Sequence, residues 1–352
     1  MKQMNPFLEE IYQQPQAVRD TAAYHYGDDG MSVLCRLGEL WKTGRYSRFV
    51  FTGMGSSYFI SESAACLLNS FGIDACAVNS GELLHYRMPM LGQDSVLVCI
   101  SQSGESYEVV KLLDSVCQDV KVIAITNNPE STLACRAEHV LLCKAGIEEM
   151  TSTKTFITCW QCVLMLVHAI VGRQSESSLW YKTADDIAVV LDSADAWMSD
   201  ALSVLGDSGY VQLIGRGSVF AAVCQSRLMF MEAAHVPASA LPGGEFRHGP
   251  LEMVHDGFTA IVFSHSASVT HDIMIGLADD LIRFGAKVIL ITDTACKKDS
   301  DGLLVINVPC GQEDTFAMLS VIPMQLMINS WACSKGMVPG DFSHGAKVTS
   351  RE

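Results

Sequence analysis

The chain has 352 residues, with 24 Lys and Arg against 39 Asp and Glu, and its formal net charge is −15. This length predicts about two domains, and a hydrophobic content of 49% argues against long disordered regions. The acidic balance disfavours nucleic acid or an anionic membrane as a partner, because each phosphate contact needs a local cation.

The N-terminal segment is predicted to be helical and to carry no targeting signal. Its first residues, MKQMNPFLEEIYQQPQ, lack the apolar core of a signal peptide. The longest apolar run, residues 163–171, is too short for a membrane-spanning helix, which needs about 20 residues. We therefore expect a soluble protein in the cytoplasm.

The 13 cysteines are odd in number, and most of them lie in apolar runs such as VLVCIS and SAACLLN. The C-x-x-C pair Cys159 and Cys162 lies in an apolar helical stretch, with no second pair nearby to complete a zinc site. This distribution predicts buried, reduced thiols that fill the core rather than a disulfide framework. Reduced thiols in turn indicate a reducing compartment.

Three strand-like blocks occur in order and then recur about 165 residues later. The first set is FVFTGMGSS at 49–57, VLVCISQS at 96–103 and KVIAITN at 121–127; the second is YVQLIGRGS at 210–218, AIVFSHS at 260–266 and KVILITD at 287–293. Helical spacing of apolar residues is seen at 60–71, 107–117 and 272–284, the last closed by Gly285. Short apolar strands alternating with helices predict two tandem, doubly wound α/β domains with parallel sheets.

The repeat gives the expected domain organisation. Residues 1–45 are leading helices, 46–173 the first α/β domain, 174–198 a connector, 199–335 the second α/β domain, and 336–352 a Gly-rich tail. In such domains ligands bind at the carboxyl ends of the strands.

Small hydroxyl residues follow the strands of the first domain. They are Ser56 and Ser57, the run from Ser101 to Ser106, and the run from Thr151 to Thr153. Hydroxyls and turn amides at helix N-termini can bind a phosphate without a net positive charge. The same residues could instead serve only as helix caps and turns. NAD is disfavoured, because the third glycine of G-x-G-x-x-G is replaced by Tyr58.

The second domain holds the candidate acid–base residues. Glu232 lies in an apolar helical segment after Met229, Phe230 and Met231, and His248 lies between a Gly-rich turn and Pro250. A partly desolvated carboxylate is a suitable general base. Taken singly, Glu232 could equally be an exposed helix charge and His248 an ordinary loop residue. The serines of SHSASVT in this half lack the following Gly-Glu, so we expect one phosphate site per chain, in the first domain.

These motifs together resemble the sugar isomerase (SIS) domain family. Within it, the chain resembles the isomerase half of glucosamine-6-phosphate synthases and the SIS-domain fructosamine-6-phosphate deglycases. The resemblance covers nearly the whole chain and rests on six elements in order, namely Gly53–Tyr58, Ser101–Ser106, Ser152–Lys154, Glu232, Glu245–Pro250 and Lys347.

The resemblance implies a role for each matching residue. Glu232 is the base that moves a proton between C1 and C2, His248 opens the sugar ring and comes from a second subunit, and Lys347 closes over the sugar with the tail. Ser152 lies near the sugar, and sugar-phosphate binding falls to Ser56, Ser57, Ser101, Gln102, Ser103 and Ser106. No metal or redox cofactor is expected, and the implied assembly is a homodimer.

Two departures from the synthase narrow the function. The chain, which begins at Met1, has no glutaminase segment with its N-terminal Cys nucleophile, and Met229 stands where the synthase has a Lys. The expected activity is therefore that of a deglycase, deaminase or isomerase on a 6-phosphorylated amino sugar or fructosamine. The alternatives are a plain aldose–ketose phosphosugar isomerase and a phosphosugar sensor without catalysis.

Overall fold

The computed structural model describes residues 5–173, 176–294, 301–340, 344 and 347. Cys296 and most of the predicted tail lie outside the described residues. The strands in chain order are β1 (Arg48–Gly53), β2 (Ala75–Asn79), β3 (Ser95–Ile100), β4 (Lys121–Thr126), β5 (His139–Leu142), β6 (Val211–Gly215), β7 (Ala238–Pro242), β8 (Thr259–Ser264), β9 (Lys287–Thr292) and β10 (Leu303–Asn307).

The helices alternate with these strands. In chain order they are α1 (Pro6–Tyr12), α2 (Gln14–His25), α3 (Asp28–Lys42), α4 (Ser56–Ser70), α5 (Ser80–Glu82), α6 (Tyr107–Ser115), α7 (Thr132–Arg136), α8 (Lys154–Val171), α9 (Ser177–Asp192), α10 (Met198–Leu205), α11 (Phe220–Ala233), α12 (Gly243–Arg247), α13 (His271–Arg283) and α14 (Phe316–Ser334).

The chain divides into two compact units. The first unit comprises residues 13–184 with His344 and Lys347, and the second comprises residues 5–12 with 185–340. Helix α1 thus belongs with the second unit, where Asn5 Nδ2 donates to Asn329 Oδ1 at 2.9 Å. Most of the expected connector is helix α9, and the division falls within it.

Each unit is built on a five-stranded parallel sheet. The first sheet has the order β2-β1-β3-β4-β5, and the second has the order β10-β9-β8-β6-β7. Counted within its own unit, each sheet therefore has the strand order 2-1-3-4-5 with all neighbours parallel. This is the flavodoxin-like doubly wound arrangement, and it confirms the predicted fold class.

The sequence pattern explains the elements. All six residues of β3 and of β8 are buried, as expected for strands covered by helices on both faces. The predicted helices at 60–71, 107–117 and 272–284 correspond to α4, α6 and α13, and Gly285 follows α13 with a φ of +91°.

Among the residues that the structure describes, two helices are long and apolar enough to cross a membrane, residues 154–171 and residues 313–334, and 89% of the most apolar 18-residue stretch of each is buried inside the protein. The first helix extends beyond the apolar run at 163–171 that was noted in the sequence. Its additional residues include polar ones, such as Thr155 and Gln161, whose side chains are also buried. A helix that is apolar on all sides is ordinarily buried in the core of a protein.

The prediction for the cysteines is only partly right. All twelve cysteines of the described chain are free thiols, but only Cys99, Cys143, Cys159, Cys162 and Cys224 are buried. Five others are exposed, among them Cys66 in the apolar run SAACLLN. Cys66 lies in α4, whose buried face is formed by other residues, including Ala64, Ala65, Leu67 and Leu68.

Candidate active site

The loop between β3 and α6 forms the centre of the predicted phosphate site. Gly104 N donates to Ser101 Oγ at 3.1 Å, and Glu105 N donates to Ser103 Oγ at 3.1 Å. Ser106 is the N-cap residue of α6, but its hydroxyl makes no capping bond and instead lies 3.4 Å from Ser101 Oγ. The side chain of Ser106 therefore leaves the first-turn amides of α6 available to an anion.

Two contacts with the start of α7 fix this loop. Glu105 accepts hydrogen bonds from the backbone N and the hydroxyl of Thr132. Gly104 has a φ of +66°, and a Cβ added there would lie 2.1 Å from Ser131 Oγ. Glycine is therefore required at this position for both conformation and space.

A second glycine brings two hydroxyl groups to the same edge of the sheet. At Gly53, the last residue of β1, an added Cβ would lie 2.7 Å from Ser57 Cβ and 2.9 Å from the carbonyl oxygen of Ile100. The absence of that Cβ lets the first turn of α4, with Ser56 and Ser57, approach the end of β3, where Ser101 follows. Ser56, Ser57, Gln102, Ser103 and Ser106 are all half-buried, as expected of residues that line a site.

The segment before α8 is organised around a carboxylate that sequence reasoning did not single out. Glu148 Oε1 accepts hydrogen bonds from Thr153 N at 2.8 Å, Thr153 Oγ1 at 3.1 Å and Thr155 N at 3.0 Å. Its Oε2 accepts from Thr155 Oγ1 and, at 2.6 Å, from Lys347 Nζ. A carboxylate at a helix N-terminus is stabilised by the orphan amides and the helix dipole.

The bonds of this carboxylate decide what the Thr151–Thr153 cluster can contribute to the site. Thr153 is buried, and its amide and hydroxyl go to Glu148, so it does not add to an anion site as the Thr151–Thr153 cluster suggested. Ser152 remains half-buried and lies 2.9 Å from Thr155 Oγ1. Because the Thr155 hydroxyl donates to Glu148, Ser152 is the donor in its bond with Thr155.

The pKa of the Glu148 carboxyl depends on its burial and on the groups that contact it. Burial alone would raise the pKa of the Glu148 carboxyl, but the adjacent Lys347 ammonium and the hydrogen bonds from Lys347 and Thr155 hold that pKa below its ordinary value. The carboxylate is therefore the form present at neutral pH, despite complete burial of the side chain.

The second unit contains the two predicted acid–base residues. Glu232 is half-exposed near the carboxyl end of α11, whereas Met229, one turn earlier, is completely buried. His248 is exposed and caps α12, its backbone N donating to Glu245 O at 3.0 Å. The serines and Lys347 thus belong to the first unit, while Glu232 and His248 belong to the second.

The loop after β8 is the counterpart of the Ser101–Ser106 loop, and its donors are already in use. Asp293 accepts from Ser266 N at 2.6 Å and from the Ser266 hydroxyl, and its side chain is only 8% exposed. Ser264 Oγ lies 2.9 Å from His271 Nδ1. An internal carboxylate therefore occupies donors of the kind that an external phosphate would need.

Comparison with known proteins agrees with this architecture. The sequence model of the SIS domain matches residues 45–169 and again residues 205–334. The chain belongs to the SIS domain family. Each match covers one of the two parallel sheets and most of the helices around it.

Among relatives of these SIS domains is the glutamine–fructose-6-phosphate aminotransferase (isomerizing) of Methanothermobacter thermautotrophicus, 25% identical over 350 residues. The alignment covers 98% of this chain and 57% of that protein, so the chain spans little more than half of its relative's length.

Two solved structures share the fold. The C-terminal domain of glucosamine-fructose-6-phosphate aminotransferase from Francisella tularensis superposes with a TM-score of 0.83 at 24% identity, covering 97% of this chain and 99% of that one. The tagatose-6-phosphate ketose/aldose isomerase of Escherichia coli superposes with a TM-score of 0.80 at 23% identity, covering 96% of each chain.

Glu148 and Asp293 are two carboxylates that organise loops at the strand ends and that the sequence did not reveal. Glu148 stands next to Glu149 in the sequence, and nothing local distinguishes the buried carboxylate from the exposed one. For Asp293 a signal was present, because the repeated block ends in Asp in the second copy and in Asn127 in the first.

Proposed function

We propose that this SIS-domain protein is an enzyme that processes a 6-phosphorylated amino sugar or fructosamine by proton transfer between C1 and C2. The observation that carries the proposal is the arrangement in the first unit, where the hydroxyl loop after β3 and the chain Ser152–Thr155–Glu148–Lys347 belong to one compact body. The loop suits a phosphate, and the Lys347 ammonium suits a developing oxyanion.

The proposed binding roles follow the sequence motifs. Ser56, Ser57, Ser101, Gln102, Ser103 and Ser106 hold the phosphate and the adjacent sugar oxygens, and Ser152 contacts the sugar. Backbone amides of α4 and α6 add donors without adding net charge, which lets a chain of net charge −15 bind a phosphate ester.

The proposed chemistry is a proton shuttle. Glu232 removes the proton from one carbon of the open-chain sugar, the electron pair forms the enediol or enolamine double bond, and the former carbonyl oxygen takes up a proton. The proton on Glu232 then returns to the neighbouring carbon, while the other oxygen or nitrogen gives up its proton and forms the new C=O or C=N bond. The shift is redox-neutral overall, so it consumes no oxidant or reductant. With nitrogen at C1 or C2, the product can then lose the amine to water, which is the deglycase or deaminase outcome.

Two features of the second unit support these roles. The half-exposed Glu232 is accessible to a substrate, while its helix neighbour Met229 is buried and has no proton to donate. His248 is exposed on a short helix end, as a residue that serves a partner subunit must be. We propose that the protein is a cytoplasmic homodimer in which His248 opens the sugar ring bound to its partner.

The deciding experiment is a screen of hexose 6-phosphates that carry an amine at C1 or C2, reading both amine release and sugar product. Amine release supports the proposal, whereas a new sugar without amine release indicates a plain aldose–ketose isomerase. Binding without turnover indicates a phosphosugar sensor and overturns the enzymatic proposal.

The role of Glu232 has its own test. Glu232→Gln should lower kcat by about 10²–10⁴-fold, the usual contribution of a positioned base. Asp279→Asn is the control, since Asp279 is an exposed carboxylate on α13 of the same unit. A Glu232→Gln enzyme within about tenfold of the wild type would exclude Glu232 as the base.

The shared site can be tested by mixing two inactive variants. Hybrid dimers of Glu232→Gln and His248→Ala chains contain one intact site if His248 serves the partner, so random mixing should restore about a quarter of wild-type activity. If both residues act within one chain, every site in the mixture lacks one of them and no activity returns.

A further inference from the structure

We propose that Glu148 is a positioning residue that holds the Lys347 ammonium at the sugar site and links it to Ser152. The inference rests on the proposed function, because it assumes that Lys347 acts on a bound phosphosugar. It adds a residue that none of the sequence motifs contains.

The carboxylate of Glu148 is held in a fixed position and can therefore keep a cation in one place. Its side chain has no exposed area, and its two carboxylate oxygens receive five hydrogen bonds. Three of them come from Thr153 and the Thr155 amide and fix Oε1 to the beginning of α8. Oε2 is thereby left for the Thr155 hydroxyl and for Lys347.

Lys347 is the partner that reaches Glu148 from far along the chain. The two residues are 199 positions apart, and their contact at 2.6 Å is a charge-assisted hydrogen bond. Lys347 Nζ also donates to the carbonyl oxygen of Met150. A buried charge is costly without a counterion, so the carboxylate favours the arrangement in which Lys347 is docked.

The docked ammonium retains capacity for a ligand. It has three N–H donors, and among the described residues Glu148 and Met150 take two of them. The Lys347 side chain is 23% exposed, in contrast to the fully buried Glu148. The remaining donor can therefore serve a substrate oxygen while the other two keep the nitrogen in place.

The link to Ser152 gives the carboxylate a second effect on the site. Thr155 Oγ1 donates to Glu148 Oε2 and accepts from Ser152, so the direction of the whole hydrogen-bond chain is set by the carboxylate. Neutralising Glu148 would remove the strong acceptor at one end and loosen both Lys347 and the Ser152 hydroxyl.

The loop that carries Glu148 is itself anchored. Asn127 bonds to two consecutive residues just before Glu148, donating to Gly146 O and accepting from Ala145 N, each at 2.8 Å. Lys154 Nζ donates to Ile147 O at 2.6 Å and to Gln13 Oε1 at 2.6 Å. Glu148 therefore acts from a fixed position and can restrain a residue of the tail.

The test is a double-mutant cycle of Glu148→Gln and Lys347→Met, measured as kcat/KM on glucosamine 6-phosphate or on whichever hexose 6-phosphate the screen shows to be turned over. Glu148→Gln should lower kcat/KM by about tenfold or more in the wild-type background. In the Lys347→Met background the same change should cost less than about twofold, because the residue through which it acts is gone. An equal loss in both backgrounds would show a merely structural role and overturn the inference.

A readout without turnover separates this inference from the proposed function. Reductive methylation with ¹³C-formaldehyde should modify Lys347 several times faster in Glu148→Gln than in the wild type. Equal rates would overturn the inference even if the enzyme is active. Failure of every sugar phosphate to react with the wild type would instead overturn the proposed function, and the labelling rates would still decide whether Glu148 holds Lys347.

Two further variants complete the experiment. Glu149→Gln is the matched control, since it removes the same charge from the exposed neighbouring position and should leave both readouts unchanged. If Glu148→Gln does not fold, Glu148→Asp keeps the charge but withdraws it by one methylene, and Lys347 should again be labelled faster. Wild-type labelling of Lys347 in a folded Glu148→Asp protein would contradict the inference.

Discussion

The two repeats have the same sheet and the same strand order. They differ in the hydrogen bonds around the loop that follows β3 in the first repeat and β8 in the second. In the first repeat, the residue after β4 is Asn127, whose side chain bonds to the loop at Ala145 and Gly146. In the second, the equivalent Asp293 turns its carboxylate onto Ser266. The residue at this position thus differs by one atom type between the repeats, and in the second repeat its carboxylate accepts hydrogen bonds from the amide and hydroxyl of a serine.

A duplicated domain can thus acquire a separate role without changing its fold. In the second repeat an internal carboxylate bonds to Ser266 of the loop. In the first repeat the amides of Gly104 and Glu105 bond to Ser101 and Ser103 within the loop, and we expect the serine hydroxyls to be available to a ligand. We expect phosphate binding in the first repeat alone, and the following changes test that asymmetry.

The largest effect is expected at Gly104. Gly104→Ala forces a side chain into a position with φ of +66° and 2.1 Å from Ser131 Oγ. The strain of about 2 kcal/mol should move the loop and weaken binding of fructose 6-phosphate by about thirtyfold. Isothermal titration calorimetry measures this, and Ala267→Gly at the equivalent position of the second repeat is the control. Equal affinities for Gly104→Ala and the wild type would show that the loop does not bind the phosphate.

A smaller loss of phosphate affinity is expected when Asn127 of the first repeat is replaced by Asp, the residue at the equivalent position of the second repeat. Asn127→Asp removes the donor to Gly146 O and places a negative charge beside the Ser101–Ser106 loop. Repulsion between this carboxylate and the ligand should weaken binding of inorganic phosphate and of fructose 6-phosphate by about tenfold.

The reverse change, Asp293→Asn, should give the second repeat a weak phosphate site. Titration of inorganic phosphate would then fit two sites per chain where the wild type has one. If Asp293→Asn still binds a single phosphate and Asn127→Asp binds as well as the wild type, the carboxylate does not explain the asymmetry.

The smallest effect concerns acid stability of the first repeat. Because the pKa of Glu148 is lower in the folded protein than its ordinary value of 4.5, the ionised form stabilises the fold above that pH. This contribution should disappear as the pH falls through the folded-state pKa. Urea unfolding should therefore show the wild type losing stability relative to Glu148→Gln below about pH 4.5. A constant difference from pH 6 to pH 3.5 would contradict the assignment.

The sequence predicted those parts of the protein that depend on local pattern. Wholly apolar strands, the recurring blocks and the glycines at strand ends were enough for the fold class and for the Ser101–Ser106 loop. Contacts between distant residues were not predictable, and Glu148 with Lys347 is the clearest case, since only the folded chain selects Glu148 over Glu149. The placement of α1 with the second unit and the exposure of Cys66 likewise depend on tertiary packing.

The two apolar core helices have a consequence for how the protein is made. Helix α8 contacts mainly α2, α3, α4 and β4, and helix α14 contacts mainly α1, α10 and α11, so the elements that make most of the contacts with either helix precede it in the chain. On a ribosome, each of these helices would emerge after most of the surface that buries it has been synthesised, and domains fold as units from the N-terminus. Each long apolar helix therefore emerges when most of the elements that cover it are already available, which shortens the time for which its apolar surface is exposed.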